Sequence, residues 1–351
     1  MEMKTLRLLI ISLSCICLNL FSVAGQNKIT VDFDAPKPTL KVTKVVPLET
    51  HKETFVDQFF KVQATDRCIF VQDRFQILIF DSNGKYLSKV RNLGHGPREY
   101  VAIKDFCYHN NSLCVLPLEG QKVQFYSLAG DYLRSMSLKI SADALWITDR
   151  FKAFKSTADP KGTLVVALPS GNKSIRAVKP ALATTTFSIE PPRPFTQAGE
   201  QVYYLLDFIP AIYTVGTRPE DVRKTEFDFG THTITPDYVA KLEQREMFER
   251  LKKDKMACFL NFHPTRDWWG LAFAMGEDRY CWYYHPQSGK QYISRRDNGS
   301  TSKLIVCSVD NQFVEAVEAV EFLENPRYAP YREGLQVDEN DNAVLIFYTV
   351  E

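Results

Sequence analysis

The chain has 351 residues, of which 45% are hydrophobic and 24% are charged, and its formal net charge is +1. That composition is typical of a folded globular protein and excludes a disordered chain. A near-neutral chain without a basic tract offers no electrostatic basis for binding nucleic acid or an anionic membrane surface. Aromatic residues make up 13% of the sequence, which favours β-strands because flat rings pack well on a pleated surface.

The N-terminal segment has the layout of a secretory signal peptide. Lys4 and Arg7 precede a long apolar stretch, and the small residues Ala24 and Gly25 follow it. A basic region, an apolar region and a small-residue cleavage site, in that order, are what signal peptidase requires. The sequence therefore predicts that residues 1–25 are removed on export.

Residues 26–351 are then the mature protein, and we expect it in the periplasm or at the cell surface. Two alternatives stay open for the N-terminal segment. It is a membrane anchor, although it is short for one and contains Ser and Asn, or Cys15 carries a lipid. No later stretch of the sequence is long and apolar enough to span a bilayer.

The strongest internal signal is a repeat with an offset of 46 residues. Residues 79–87 match residues 125–133, with an aromatic residue, Gly, Tyr and Leu in register, and the same offset places Cys68 on Cys114. A period in the forties, with several short strands in each unit, is typical of β-propeller blades.

The sequence predicts six such units, each a meander of short strands separated by turn-forming residues. The units are placed at Phe59–Val90, Asp105–Leu138, Ala144–Val178, Pro194–Phe229, Ala257–Arg296 and Lys303–Val350. Asn83 and Gly84 are a type I′ hairpin signal in the first unit, and Asn110 and Asn111 form a turn in the second.

Two insertions are predicted to be helical. Thr235 can cap a helix that starts at Pro236 and reaches Lys255, because the intervening residues contain neither Gly nor a further Pro. A second, short helix is predicted over Phe313–Leu323.

The two ends of the mature chain are predicted to close the ring, with Leu40–Leu48 pairing beside Ala343–Val350. The predicted fold is thus an all-β, six-bladed β-propeller of four-stranded antiparallel blades with one or two short helical insertions, and it forms one domain over residues 26–351.

The sequence resembles a known family, the exported six-bladed β-propellers of Bacteroidetes, whose architecture is NHL-like. The resemblance is carried by the blade motif at residues 80–87, the loop Gly94–Tyr100 with the segment that follows it, and the ending at residues 339–348. It spans about Val31 to Glu351. Arg98 stands where the family loop usually has a third Gly, and Ala343 where Pro is frequent. The resemblance implies the fold and export, and it implies no common activity.

The loop Gly94–Tyr100 is either a phosphate cradle or a turn between blades. It lacks a third Gly, a following helix and a Lys-Ser/Thr pair, so the turn is favoured. If the loop does bind a ligand, His95 and Arg98 are the side chains best able to reach it.

Trp268, Trp269 and Trp282 lie in an aromatic cluster and are candidates for stacking on a sugar. The alternative is core packing between blades, since strand alternation distributes the rings of residues 279–285 over both faces of one strand. Core packing is favoured, with one of the adjacent tryptophans exposed.

Cys107 and Cys114 are a candidate disulfide, because a hairpin turning at Asn110 and Asn111 sets them directly opposite each other. The alternative, which is favoured, is that both are small buried hydrophobes. Asp338, Asn340 and Asn342 have the alternate spacing of a calcium loop but lack its Gly and bidentate Glu. No metal site, cofactor or catalytic residue is predicted from motifs.

The predicted function is that of an exported, non-catalytic binding or scaffold propeller that engages a glycan, a peptide or an envelope protein. The alternative is a carbohydrate-active propeller enzyme, a lyase or hydrolase, with acid and base residues drawn from loops between blades. A pair of carboxylates at the mouth of the channel would favour the hydrolase.

Overall fold

We describe a computed structural model of the chain. The structure describes residues 28–56, 59–156, 164–167, 174–178, 194–205, 210–216, 222–243, 246–296 and 303–351. The predicted signal peptide, residues 1–25, lies outside the described residues.

The described residues contain short β-strands and few helices. The strands of the first half are β1 Lys28–Thr30, β2 Leu40–Pro47, β3 Lys61–Ala64, β4 Cys68–Gln72, β5 Ile77–Asp81, β6 Tyr86–Val90, β7 Ile103–His109, β8 Ser112–Pro117, β9 Lys122–Ser127, β10 Tyr132–Ser137, β11 Ala144–Ile147, β12 Lys152–Lys155, β13 Leu164–Ala167 and β14 Ser174–Val178. Those of the second half are β15 Phe195–Ala198, β16 Gln201–Leu205, β17 Ala211–Val215, β18 Arg223–Asp228, β19 Ala257–Pro264, β20 Trp269–Met275, β21 Asp278–Tyr284, β22 Gln291–Arg295, β23 Lys303–Val309, β24 Gln312–Val317 and β25 Val344–Val350. The α-helices are α1 Pro236–Val239, α2 Met247–Lys253 and α3 Ala319–Glu324, and the 3-10 helices are Gly230–His232 and Pro326–Tyr331.

Consecutive strands form small antiparallel sheets. Sheets I, II, III and V are four-stranded and consist of β3–β6, β7–β10, β11–β14 and β19–β22. Sheet IV contains β15–β18 and, beside β18, the parallel strand β1, which was not predicted. Sheet VI contains β23–β25 and, beside β25, the antiparallel strand β2.

The sheets are arranged as in a β-propeller. The first strand of each sheet contacts the first strand of the next, and β23 of sheet VI contacts β3 of sheet I. Apolar side chains fill the space between neighbouring sheets; between sheets VI and I, for example, Val314 and Leu345 pack in one cluster with Val71 and Phe80. The chain is therefore an all-β propeller whose core lies between its sheets.

The predicted pairing of the two chain ends is confirmed. Strand β2 lies antiparallel to β25, with Val45 opposite Ile346 and Leu40 opposite Val350. The N–H of Glu351 also donates to the carbonyl of Thr39 at 3.0 Å. The last sheet thus contains strands from both ends of the sequence.

The hairpin turns differ from the prediction in one place. Gly84 has a φ of 85°, but Asn83 is not in the left-handed region, so this turn is not type I′, which requires a positive φ at both central residues. Asn110 and Asn111 have φ values of 47° and 56°, as a type I′ turn requires. A Cβ on Gly84 would lie 2.1 Å from the carbonyl oxygen of Pro47, so only glycine lets the turn approach β2 this closely.

The prediction of one continuous helix up to Lys255 was wrong. The Thr235 hydroxyl does accept from the N–H of Tyr238 at 3.2 Å, as the cap predicted, but α1 ends at Val239 and α2 begins only at Met247. Both short helices contribute to a single apolar cluster, and packing of this kind overrides helix propensity.

The second helix prediction was wrong over Phe313–Val317, which lie in the buried strand β24; only Ala319–Glu324 are helical. Aromatic and β-branched residues in a strand buried on both faces favour the sheet there. None of the helices in the described part of the chain is long and apolar enough to cross a membrane.

Candidate ligand-binding site

A pocket of about 440 Å³ opens between sheets V and VI. Strands β21, β24, β25 and β2 line it, together with the end of β22 and the 3-10 helix Pro326–Tyr331. We call it the V–VI pocket, and the polar side chains that matter most in it are Tyr283, Arg296, Glu315, Arg327, Tyr328 and Tyr348.

Glu315 is the centre of this group. It lies in the middle of β24, on the same face as Phe313 and Val317, and it is only 1% exposed. Its carboxylate accepts from Arg296 Nη2, from Arg327 Nη2 at 3.3 Å and from the hydroxyl of Tyr328 at 3.3 Å. A charge buried in an apolar strand is tolerated because it is paired and hydrogen-bonded on both oxygens.

The two arginines reach Glu315 from different elements. Arg296 follows β22 directly, and its N–H donates to the carbonyl of Arg279 at 2.8 Å. Arg327 lies in the 3-10 helix, where the side chain of Asn325 accepts from its N–H at 3.0 Å. The cluster therefore joins sheet V, sheet VI and the insertion between β24 and β25.

Electrostatics favour the charged form of both guanidinium groups. Burial acts to lower the pKa of Arg296 and of Arg327, but the Glu315 carboxylate and Tyr328 together outweigh it, and both pKa values lie above the ordinary value. Two positive groups surround one negative group, so the cluster carries a net positive charge.

Two tyrosine hydroxyls lie beside this cluster. Tyr283 Oη and Tyr348 Oη are 2.9 Å apart, and both residues are buried. Burial raises the pKa of each phenol well above its ordinary value, so both stay protonated. Only one of the two protons can lie between the oxygens.

The loop residues singled out from the sequence lie elsewhere. His95 and Arg98 are exposed, in the connection between β6 and β7, and the Arg98 guanidinium lies over the ring of Tyr132 with 5.5 Å to its centroid. The carboxylate of Glu99 accepts from the N–H of Gly96 at 2.8 Å, and Lys122 donates to two loop carbonyls. These bonds fit a turn between sheets.

The three tryptophans are mostly buried. Trp282 is 0% exposed, and its indole N–H donates to Gln291 at 2.9 Å, so its ring is not available to a ligand. Trp268 is 9% exposed and stacks on Tyr292. Trp269 is half-buried and lines a pocket of about 700 Å³ with Tyr203, Asp267 and Asp310.

The structure does not bring the predicted loop and the predicted tryptophans together. His95 and Arg98 precede β7, whereas Trp268 and Trp269 follow the end of β19. Because β7 and β19 occupy equivalent positions in their sheets, the two groups lie at opposite ends of the propeller.

A smaller pocket, of about 230 Å³, lies among the first strands of five sheets. Its described lining contains a single carboxylate, Asp310. Lys61 also lines it and is buried in an ion pair with Asp105, 2.7 Å from Nζ to Oδ1. Asp105 in turn accepts from the N–H of Leu145 at 2.8 Å, so this pair connects sheets I, II and III.

Cys107 and Cys114 are opposite each other on β7 and β8, in the register expected from the hairpin, and both are free thiols in this structure. Both are 0% exposed.

Asn342, from the calcium-like spacing, is buried, and its side-chain amide donates to the carbonyls of Glu49 and Thr54.

Sequence reasoning missed the V–VI pocket. Arg296, Glu315 and Arg327 match no short motif, and the fold alone brings them together. One signal was present: Glu315 is the single charge in the apolar run Phe313–Val317, and a charge in a buried strand requires a partner.

A family model for a domain of unknown function, DUF4934, matches residues 39–349. Among solved structures, a candidate exported protein of Bacteroides fragilis is similar, with a TM-score of 0.77 and 16% identity over 92% of this chain and 99% of that chain. A DUF4221 family member of Bacteroides vulgatus has a TM-score of 0.61 and 10% identity over 91% of this chain and 99% of that one. At these identities the likeness establishes the fold alone. No curated protein matches the sequence.

Proposed function

Since this chain belongs to the DUF4934 family, whose domains have no known function, we propose a function from its own residues: it is a non-catalytic binding or scaffold propeller. Its ligand is a glycan, a peptide or an envelope protein, and the V–VI pocket is the site that holds it. The observation that carries the proposal is the cluster of Arg296, Glu315 and Arg327 beside a cavity of about 440 Å³.

The contacts in the pocket favour binding over catalysis. Among the described residues that line the pocket, Glu315 is the only carboxylate, and two guanidinium groups and a hydroxyl occupy its oxygens. A general base must reach the proton that it removes, and a carboxylate enclosed in this way does not. The cluster is suited to holding a fixed arrangement of donors.

We also propose the number of blades and the cellular compartment of the protein. The six sheets are six blades of one NHL-like ring, supported by the contacts that return from sheet VI to sheet I. The mature protein, residues 26–351, works in the periplasm or at the cell surface. Support for export comes from the N-terminal sequence and from the name of the similar Bacteroides fragilis protein.

The test is a thermal-shift screen of the mature protein against host and bacterial glycans and peptides. A ligand of this pocket raises the unfolding midpoint by an amount that grows with its concentration. Ser294→Trp, which fills the V–VI pocket, is expected to abolish the shift. Ser288→Trp, in an exposed turn outside the pocket lining, is the matched control and should keep it. A shift that survives in Ser294→Trp would overturn the assignment of the site, and a flat panel would overturn a glycan or a peptide as the ligand.

A further inference from the structure

We infer that the V–VI pocket recognises an oxyanion on its ligand, a carboxylate or a similar small anionic group. This inference rests on the proposed function, because it names the chemistry that the pocket of a binding protein would select. The residues that would contact the anion are Arg327 and Tyr348.

The charge balance of the pocket is the first argument. Glu315 is 1% exposed and Arg296 is 17% exposed in its side chain, so together they form a neutral, buried pair. Arg327 adds a second positive charge against the same carboxylate. Arg296 and Glu315 compensate each other, so the charge of Arg327 is the excess charge of the cluster, and one more anion would balance it.

The geometry of Arg327 is the second argument. Its side chain is 43% exposed, although the rest of the cluster is buried. Its guanidinium lies over the ring of Tyr328, with 5.2 Å from Cζ to the ring centroid. Its hydrogen bonds among the described residues are to Glu315 at 3.3 Å and to the hydroxyl of Tyr328 at 3.5 Å, and they use two of the five N–H donors of a guanidinium group. The remaining donors form a planar fork of the kind that binds carboxylates and phosphates in two-point contacts.

The tyrosine pair supplies a neutral donor to the same cavity. Tyr283 Oη and Tyr348 Oη are 2.9 Å apart and line the pocket, and one of their two protons needs an acceptor outside the pair. An anionic oxygen in the pocket is such an acceptor. At the rim, Lys37 is exposed and makes no ion pair among the described residues, so it adds to the attraction of anions.

The experiment measures binding of small oxyanions to the mature protein at constant ionic strength. Glucuronate, inorganic phosphate and sulfate are the probes, and glucose is the neutral match of glucuronate. We expect at least one oxyanion to bind and to raise the unfolding midpoint while glucose has no effect. The three arms distinguish a carboxylate site from a phosphate or sulfate site.

Arg327→Gln is expected to weaken that binding roughly tenfold or more, the loss typical of one charge-assisted hydrogen bond. Arg327→Lys keeps the charge and loses the planar fork, so its affinity for the oxyanion should lie between those of the parent protein and of Arg327→Gln. It replaces Arg327→Gln in the test if that variant does not fold. Arg250→Gln, which removes an arginine paired with Asp254 outside the pocket, is the control and should bind like the parent protein.

The outcomes separate the two proposals. If glucose or another neutral ligand binds in the pocket as well as glucuronate does, or if both Arg327 variants bind oxyanions like the parent, the oxyanion inference is wrong and the binding function stands. If neither the oxyanions nor any ligand of the wider panel shifts the midpoint, the oxyanion inference fails, and so does the proposal that this pocket binds a glycan or a peptide.

Discussion

Glu315 holds three parts of the molecule together through a single carboxylate. Glu315→Gln keeps the shape and removes the charge, which leaves the largely buried Arg296 and the partly exposed Arg327 without their counter-ion. We expect it to lower the free energy of unfolding by about 3–5 kcal/mol, the cost of breaking a buried ion pair by removing one partner. Urea denaturation followed by fluorescence measures this change.

The control for that variant is Glu277→Gln. Glu277 pairs with Lys252 at 2.6 Å, but its side chain is 72% exposed, and ion pairs of this kind contribute little in water. An equal, small effect of both substitutions would mean that the Glu315 cluster does not support the fold.

The cysteine thiols should react slowly in the native protein. Burial raises the pKa of the Cys107 and Cys281 thiols, and it raises the pKa of Cys258 to about 11. Only the thiolate reacts with Ellman's reagent, so the native protein should react slowly at neutral pH. The six cysteines of residues 26–351 should all react once the chain is unfolded.

Counting four thiols in the unfolded, unreduced protein would contradict this expectation. Peptide mapping would then show whether the missing pair is Cys107 and Cys114, the pairing that the hairpin geometry allows. A reduced sample of the same protein serves as the control and should give the full count.

Among the elements, the turn between β5 and β6 shows how closely the strands of neighbouring sheets approach. Gly84 accepts from the N–H of Glu49 at 2.8 Å, and a Cβ there would collide with the Pro47 backbone. Gly289 also has a positive φ, of 72°, but has no atom within 4 Å of an added Cβ. The two glycines therefore differ in packing and not in the type of backbone conformation.

We predict that Gly289→Ala costs about 1–2 kcal/mol, from the left-handed backbone alone. Gly84→Ala should cost clearly more, since the turn or β2 must also shift. Chemical denaturation of both variants measures the difference, and similar losses would indicate that β2 adjusts to the added methyl group without cost.

The elements also show what the sequence could and could not predict. The offset of 46 residues placed the first two sheets, and short apolar or aromatic runs placed the later ones, because each sheet is a local meander whose pairing follows the order of the chain. The helix predicted from Pro236 to Lys255 failed, since its local propensity competes with packing onto one apolar cluster.

The candidate site could not be predicted in the same way. Its chemistry depends on side chains from the end of β22, from the centre of β24 and from a 3-10 helix, and no periodic pattern relates them. The aromatic residues were conspicuous in the sequence, but Trp282 belongs to the core, as strand alternation in an inter-sheet layer favours.

In the molecule as a whole, the pairing of β2 with β25 joins the N-terminal and C-terminal parts of the chain in one sheet. Apolar clusters fill the spaces between neighbouring sheets, and the cluster between sheets VI and I includes Val46 and Leu48, from β2 and the residue that follows it. Strand β2 thus pairs with β25 and packs toward sheet I at the same time. Strand β1 has a different role, because it extends sheet IV at its edge.

Two truncations separate these roles. A mature protein that begins at Pro38 lacks β1 and loses the buried side chains of Ile29 and Val31, but it keeps the pairing of β2 with β25. We expect it to elute in size-exclusion chromatography as the parent protein does and to unfold in one transition at a lower urea concentration. A protein that begins at Glu49 lacks β2 as well, which exposes the backbone of β25 as a long apolar edge and opens the interface between sheets VI and I. We expect that variant to aggregate or to unfold without a single cooperative transition, as measured by size-exclusion chromatography and urea denaturation.

Because the missing strand forms backbone hydrogen bonds with an exposed edge, a peptide of residues 38–48 added in trans should restore part of the stability. Equal midpoints for the two truncated proteins would show that β2 does not close the ring.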